Sequence, residues 1–237
     1  MITEILRNAP YASTLRLQRE RFDALVNDSR LNCHTSPEWL MLVEHTPVYT
    51  LGRHGNPANL IAPEWLAADG IDLVEIDRGG DITYHGPGQL VAYPLIDLQR
   101  RHLGVKAYVN LLEQAVIDSI AEYGIKGERL DGATGVWIEP GTSRARKICA
   151  IGIRCSRFIA MHGLALNVST DLRRFNAINP CGFTDRGVTS ISAEIGSDVG
   201  WADAASRLEA NLRRLLDAPG GSDEIYEFLL QARRKQQ

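Results

Sequence analysis

Residues 147–168, KICAIGIRCSRFIAMHGLALNV, contain two apolar runs of strand length, KICAIGIRC and FIAMHGLALNV, separated by Ser156 and Arg157. In the first run Cys149, Ile151, Ile153 and Cys155 alternate along one face, which is the two-residue period of a strand. A two-residue break between such runs is the spacing of a tight turn, and an antiparallel hairpin is the simplest pairing. Further short runs bounded by Gly and Pro read as strands at residues 40–51, 71–76, 90–96 and 135–138.

Helices flank these strands. Residues 11–28 place Leu15, Phe22, Leu25 and Val26 at helical spacing among Arg and Glu. Residues 105–123 repeat apolar side chains from Val105 to Tyr123 and stop at Gly124, a natural helix terminator. Two more amphipathic stretches, 201–217 and 223–234, close the chain. Consecutive antiparallel-looking strands with helices before and after them indicate an α+β (mixed α/β) fold rather than a repeating βαβ barrel.

The 237 residues carry no linker, repeat or low-complexity tract before residue 217, so residues 1–237 are read as one domain with helices at about 201–234. A net charge of −3 argues against a dedicated nucleic-acid binder. The first ten residues do not resemble a signal peptide and no apolar run approaches a membrane span, so a cytoplasmic protein is expected. Cys33, Cys149, Cys155 and Cys181 form no C-x-x-C pair and no finger-like spacing with histidine, which argues for thiols and against disulfides or a metal site.

Chemistry-bearing residues concentrate in residues 78–98, RGGDITYHGPGQLVAYPLIDL, where glycines alternate with charged and hydrogen-bonding groups before an apolar strand. Glycine lets a backbone approach a ligand closely, so this is read as a site loop on a sheet. Cys181 lies in the turn sequence Asn179-Pro180-Cys181-Gly182, where a thiol should be accessible, whereas Cys149 and Cys155 read as buried structural residues and Cys33 beside His34 is ambiguous. An ordinary thiol is mostly protonated at neutral pH, and a neighbouring cation is one of the few ways to change that. His85, His162 and Lys147 are the available cations. His162, flanked by apolar strand, reads as a support behind the site.

Three segments together resemble the lipoyl(octanoyl) transferases. The signature RGG-x-x-T-Y-H-G-P-G-Q stands at residues 78–89, K-I-x-A-I-G-I-R at 147–154, and H-G-x-A-L-N-x-x-x-D-L-x-x-F-x-x-I-x-P-C-G at 162–182, in family order. The resemblance implies transfer of an octanoyl group from octanoyl-acyl carrier protein to a lysine of lipoyl domains, those of 2-oxoacid dehydrogenase E2 subunits and of the glycine cleavage H protein. It implies Cys181 as the thioester-forming nucleophile and Lys147 as the group that lowers its pKa and carries protons. Substrate contacts would come from Arg78, Gly79, Gly80, Asp81, Ile82, Thr83, Tyr84 and His85, from Ala150, Ile151 and Gly152, and from Gly163, Leu164 and Ala165. No cofactor and no metal are implied. The implied fold is that of biotin and lipoate protein ligases, a mixed, largely antiparallel sheet flanked by helices.

The small residues Ala150, Gly152, Gly163 and Ala165, with Val91, could line an apolar slot for the acyl tail, and Gly79, Gly80 and Gly163 could present amides to an oxyanion. Arg78, Arg144, Arg146, Arg154, Arg157, Arg173 and Arg174 lie in or beside the motifs, so an electropositive mouth suited to acidic protein partners is expected. Two alternatives remain open: an ATP-dependent ligase on the same fold, and an acyl-protein binding module without chemistry.

Overall fold

The computed structural model describes residues 1–179 and 187–217. The hairpin at its centre is formed by β8 (Arg146–Ser156) and β9 (Ile159–Asn167), antiparallel from Cys149↔Leu166 to Ser156↔Ile159. The turn residues are Arg157 and Phe158, at φ 51° and 63°. Two consecutive left-handed residues match the right-handed twist of a hairpin, although side chains other than Asn, Asp and Gly rarely adopt them.

Around this hairpin a seven-stranded sheet assembles in the order β1-β2-β6-β9-β8-β10, with β7 also on β8. Its other members are β1 (Ile2–Ala9), β2 (Trp39–His45), β6 (Gln89–Asp97), β7 (Val136–Ile138) and β10 (Gly187–Val188). The pairings are mostly antiparallel; β1 with β2 and β10 with β8 are parallel. A three-stranded sheet stands beside it in the order β4-β3-β5, from β3 (Val48–Leu51), β4 (Asp72–Glu75) and β5 (Ile82–His85). The mixed sheets flanked by helices agree with the α+β reading.

The alternation of the strands decides which helices cover which face. Leu40, Leu42, Leu90, Ala92, Leu164 and Leu166 pack against α3 (Val105–Ala121) and α5 (Trp201–Leu216). Met41, Val43, Val91, Tyr93 and Ala165 face the other way, toward Leu15, Phe22, Leu25 and Val26 of α1 (Tyr11–Leu31). Two short helices, α2 (Pro63–Asp69) and α4 (Ile191–Ile195), complete the described chain.

Several boundaries differ from the sequence reading. The run 40–51 is two strands in two different sheets, broken at Thr46-Pro47, where the proline ring lacks a ladder donor. Residues 82–85 are a strand rather than loop, paired antiparallel with β3. The edge strand β1 has no sequence signal, since Ile2 and Ile5 are half exposed. The stretch 223–234 lies outside the described residues.

Candidate active site

On β8 and β9, Ala150 stands directly opposite Ala165 and Gly152 opposite Gly163. Four small residues side by side leave a trough on the sheet face that α1 partly covers. At Gly152 an added Cβ would lie 2.6 Å from Gly79 O, and at Gly163 it would lie 2.1 Å from Ala92 O. Both distances are far inside van der Waals contact, so the close approaches depend on glycine.

Residues 78–83 form one wall of the trough. Gly79 N–H donates to Ile153 O at 2.9 Å, which ties the segment to β8 and withdraws that amide from any oxyanion role. Arg78 Nη2 donates to Thr50 O at 3.0 Å and to Thr50 Oγ1 at 2.9 Å, and Arg53 N–H donates to Arg78 O at 2.9 Å. Asp81 accepts Asn56 N–H at 3.1 Å and the Asn59 side-chain amide. The buried guanidinium thus pins the glycine-rich segment onto the small sheet, and the carboxylate pins it to residues 56–59. The cavity beside this wall measures about 520 Å³, within the usual range of small-ligand pockets.

Polar side chains bounding the cavity are held by fixed hydrogen bonds. Gln89 Nε2 donates to Tyr84 O and Asn167 Oδ1, so its Oε1 accepts from His85 Nδ1 at 2.7 Å and fixes that tautomer. His45 Nδ1 donates to Ala9 O at 3.0 Å, leaving Nε2 to accept the Tyr93 hydroxyl at 2.8 Å. His162, at φ 59°, donates from Nε2 to Asp77 Oδ1 at 3.1 Å, and its Nδ1 is buried without a hydrogen-bond partner among the described residues. Burial pushes His85 down to about 3 and His45 to about 4, and lowers His162 against the raising effect of Asp77. The His162 hydrogen bond holds Asp77 down at about 2. Burial raises the Tyr11 phenol to about 12. At neutral pH these histidines are uncharged, so neither His85 nor His162 can serve as the cation beside a thiol.

Lys147 remains. It stands across from Trp137 on β7, with Nζ 4.7 Å from the ring centroid, and donates to Thr134 O at 3.2 Å. It also pairs in register with Val188 on β10. Lys147 and Ile153 both line the cavity from the same strand, six residues apart, a span of roughly 20 Å. His162, opposite Ile153, therefore bounds the end remote from the lysine.

Thirteen of the fourteen residues expected to touch substrate line this one cavity, together with Lys147 and His162. Tyr84 does not: its ring packs 5.2 Å from Tyr49 and 5.9 Å from Phe175. Cys181 lies outside the described residues. Its flanks are anchored, Asn179 N–H on Asn59 O at 2.8 Å and Gly187 N–H on Ala145 O at 3.0 Å. Burial raises the thiols of Cys149 and Cys155, which suits structural roles. Tyr11, Tyr93, Gly132, Ala133, Thr134 and Asn167 also line the cavity and were not singled out from sequence. Of these, Asn167 stands at a specified position of the third signature and the glycine-bearing run 131–135 offered a local signal.

The electropositive mouth is largely neutralised. Arg144 and Arg146 each contact Glu139 at 2.6 Å, Arg146 also contacts Glu194 at 2.6 Å, Arg173 contacts Asp171 at 2.8 Å, and Arg154 and Arg174 pair with Asp77 and Asp69. Among the described residues no cluster of His, Cys, Asp and Glu could hold a metal, and no helix is long and apolar enough to cross a membrane.

The family model of the lipoyl protein ligase A/B catalytic domain matches residues 10–213 of this chain. A bipartite lipoate protein ligase from Thermoplasma acidophilum shares the fold at a TM-score of 0.67 and 16% identity, with 98% of this chain and 91% of that one covered. A biotin protein ligase from Aquifex aeolicus aligns at a TM-score of 0.50 and 12% identity over 91% of this chain and 72% of that one. The octanoyltransferase of Bacteroides thetaiotaomicron is 53% identical over 209 residues, 88% of this chain and 92% of the relative. That of Flavobacterium johnsoniae is 44% identical over 221 residues, 90% and 95% of the two chains. The chain belongs to the octanoyltransferases of this family and is an acyltransferase.

Proposed function

We propose that this enzyme takes an octanoyl group from octanoyl-acyl carrier protein onto Cys181 and passes it to the lysine ε-amine of a lipoyl domain, with Lys147 carrying the protons. The observation that supports this most directly is a small-residue trough that runs from Lys147 along β8. A hydrocarbon tail fits such a slot, and the cation at one end marks where its carbonyl would react.

In the first half-reaction the Cys181 thiolate attacks the donor thioester. The C–S bond to the phosphopantetheine arm breaks, and the Lys147 ammonium supplies the proton that the departing thiolate takes. In the second, the acceptor amine attacks the Cys181 thioester, its proton passes to Lys147, and the Cys181 thiolate leaves as the amide forms. Splitting the transfer in this way spares the two large protein partners from binding together. A nucleophilic thiol also suits the cytoplasm, where thiols stay reduced. Acceptor lipoyl domains of 2-oxoacid dehydrogenases and the glycine cleavage H protein fit the same chemistry.

Incubation with octanoyl-acyl carrier protein and no acceptor is expected to leave one hydroxylamine-sensitive octanoyl group on Cys181, read by peptide mass spectrometry. An adduct on Cys33 or Cys149, or wild-type transfer by Cys181→Ala, defeats the reading. Turnover of free octanoate that requires ATP and Mg²⁺ would instead establish a ligase.

A further inference from the structure

Glu113 lies on α3 where the helix packs into the protein, 6% exposed, a place that helix packing alone would fill with an apolar residue. One carboxylate oxygen accepts the Gly135 N–H at 3.0 Å and the other accepts Arg129 Nε at 2.9 Å. Arg129 also donates to Asn110 O at 2.9 Å and to Gln114 Oε1 at 3.1 Å. The two side chains of this ion pair are 11% and 7% exposed. A pair buried so deeply is a poor stabiliser, because the loss of hydration offsets the attraction and apolar replacements often fold as well.

What the pair does hold is the chain between its two contacts. Residues 129–135 run from Arg129 to Gly135, and Gly132, Ala133 and Thr134 among them line the cavity. Gly135, at φ 123°, presses so closely on β8 that an added Cβ would lie 2.5 Å from Cys149 O. The preceding residue supplies the carbonyl that receives Lys147 Nζ. Ala133 O accepts Trp137 Nε1 at 2.9 Å, which sets the ring that the same ammonium faces. The Thr134 carbonyl and the Trp137 ring that meet the lysine head group are therefore placed by a segment that Glu113 grips at each end.

We propose that Glu113, through Arg129 and the Gly135 amide, is a positioning residue that fixes the Lys147 ammonium for acyl transfer. This rests on the reading of Lys147 as the proton carrier. Removing the Glu113 charge loosens the segment and lets the ammonium wander; misplacement by about 1 Å can cost on the order of 10²-fold in rate.

The test compares Glu113→Gln, Lys147→Ala and the double variant with the wild-type enzyme, using kcat and KM for octanoyl transfer and the pH profile of Cys181 alkylation. The expected result is a kcat at least tenfold lower in Glu113→Gln with KM little changed. Its alkylation profile should move toward that of Lys147→Ala, and the double variant should be no slower than Lys147→Ala alone. Full multiplication of the two losses, or a wild-type alkylation profile in Glu113→Gln, overturns the proposal while leaving the lysine reading intact. A wild-type profile in Lys147→Ala overturns the lysine reading itself. If Glu113→Gln does not fold, the same measurements are made on Arg129→Lys, which keeps the charge but not the fork of donors, and the same outcomes support or overturn the proposal.

Discussion

Lowering the pH from 7 to 5 should weaken the fold by an amount that the buried histidines set. His45 and His85 are neutral in the folded protein because burial depresses them to about 4 and about 3, against 6.5 when solvated. The unfolded chain therefore binds more protons than the folded one throughout the interval between. Stability is full above about pH 6.5 and is lost as pH falls through that value toward the folded-state pKa values. Integrated from pH 7 to 5, each histidine accounts for about 1.9 kcal/mol, or roughly 4 kcal/mol for the two, out of the ~5–15 kcal/mol typical of a domain. His162 acts in the same direction. Urea denaturation at pH 7, 6 and 5 measures the change as a falling midpoint at constant slope. His45→Gln retains a donor for Ala9 O and an acceptor for the Tyr93 hydroxyl, and should halve the loss. A midpoint that does not move between pH 7 and 5, or a His45→Gln protein with the wild-type pH dependence, refutes the argument.

Gly152→Ala forces the Gly79 carbonyl to retreat by about 0.8 Å to restore ordinary contact; octanoyl transfer should fall more than tenfold while stability falls by only about 1–3 kcal/mol. Steady-state kinetics beside thermal melts decide it, and transfer at the wild-type rate would mean that the wall of residues 78–80 is not part of the site. Cys149→Ser places a hydroxyl in the apolar core and should cost about 1–3 kcal/mol of stability with transfer per folded molecule unchanged. A fall in specific activity at full folding would move Cys149 into the chemistry.

The hairpin was legible because two apolar runs of strand length are separated by a two-residue break. The helices at 11–31 and 105–121 were legible because each buries an apolar stripe. The break at Thr46-Pro47 was not, since an apolar run gives no sign of passing from one sheet to another. Tyr84 illustrates a finer limit: it stands inside a matching signature yet does not line the cavity, and composition cannot show which way a residue points. The arginines were visible but their partners were not, because Asp77 and Asp69 reach Arg154 and Arg174 only through the fold. The same holds for Glu113 and Arg129, separated in sequence from Lys147 and ordinary in type. Cys181 and Lys147 were singled out mainly by resemblance, since a lone turn cysteine and a lysine at a strand start carry little signal alone.

With the acyl tail in the trough, as proposed, the slot would also bear on which tail lengths bind. Each methylene removed from water contributes about 0.8 kcal/mol, so a ten-carbon tail would bind roughly 1.6 kcal/mol, more than tenfold, tighter than an eight-carbon one in a slot without an end. Attraction thus favours the longer chain, and only repulsion can reject it. A tail that met the His85 ring or the Tyr93 hydroxyl would meet stiff material: the first is clamped by Gln89 and the second by His45, so neither side chain can swing aside without breaking a buried hydrogen bond. Discrimination built this way is lopsided. Shortening the tail forfeits contact gradually, one methylene at a time, whereas lengthening it past the wall meets a barrier at once.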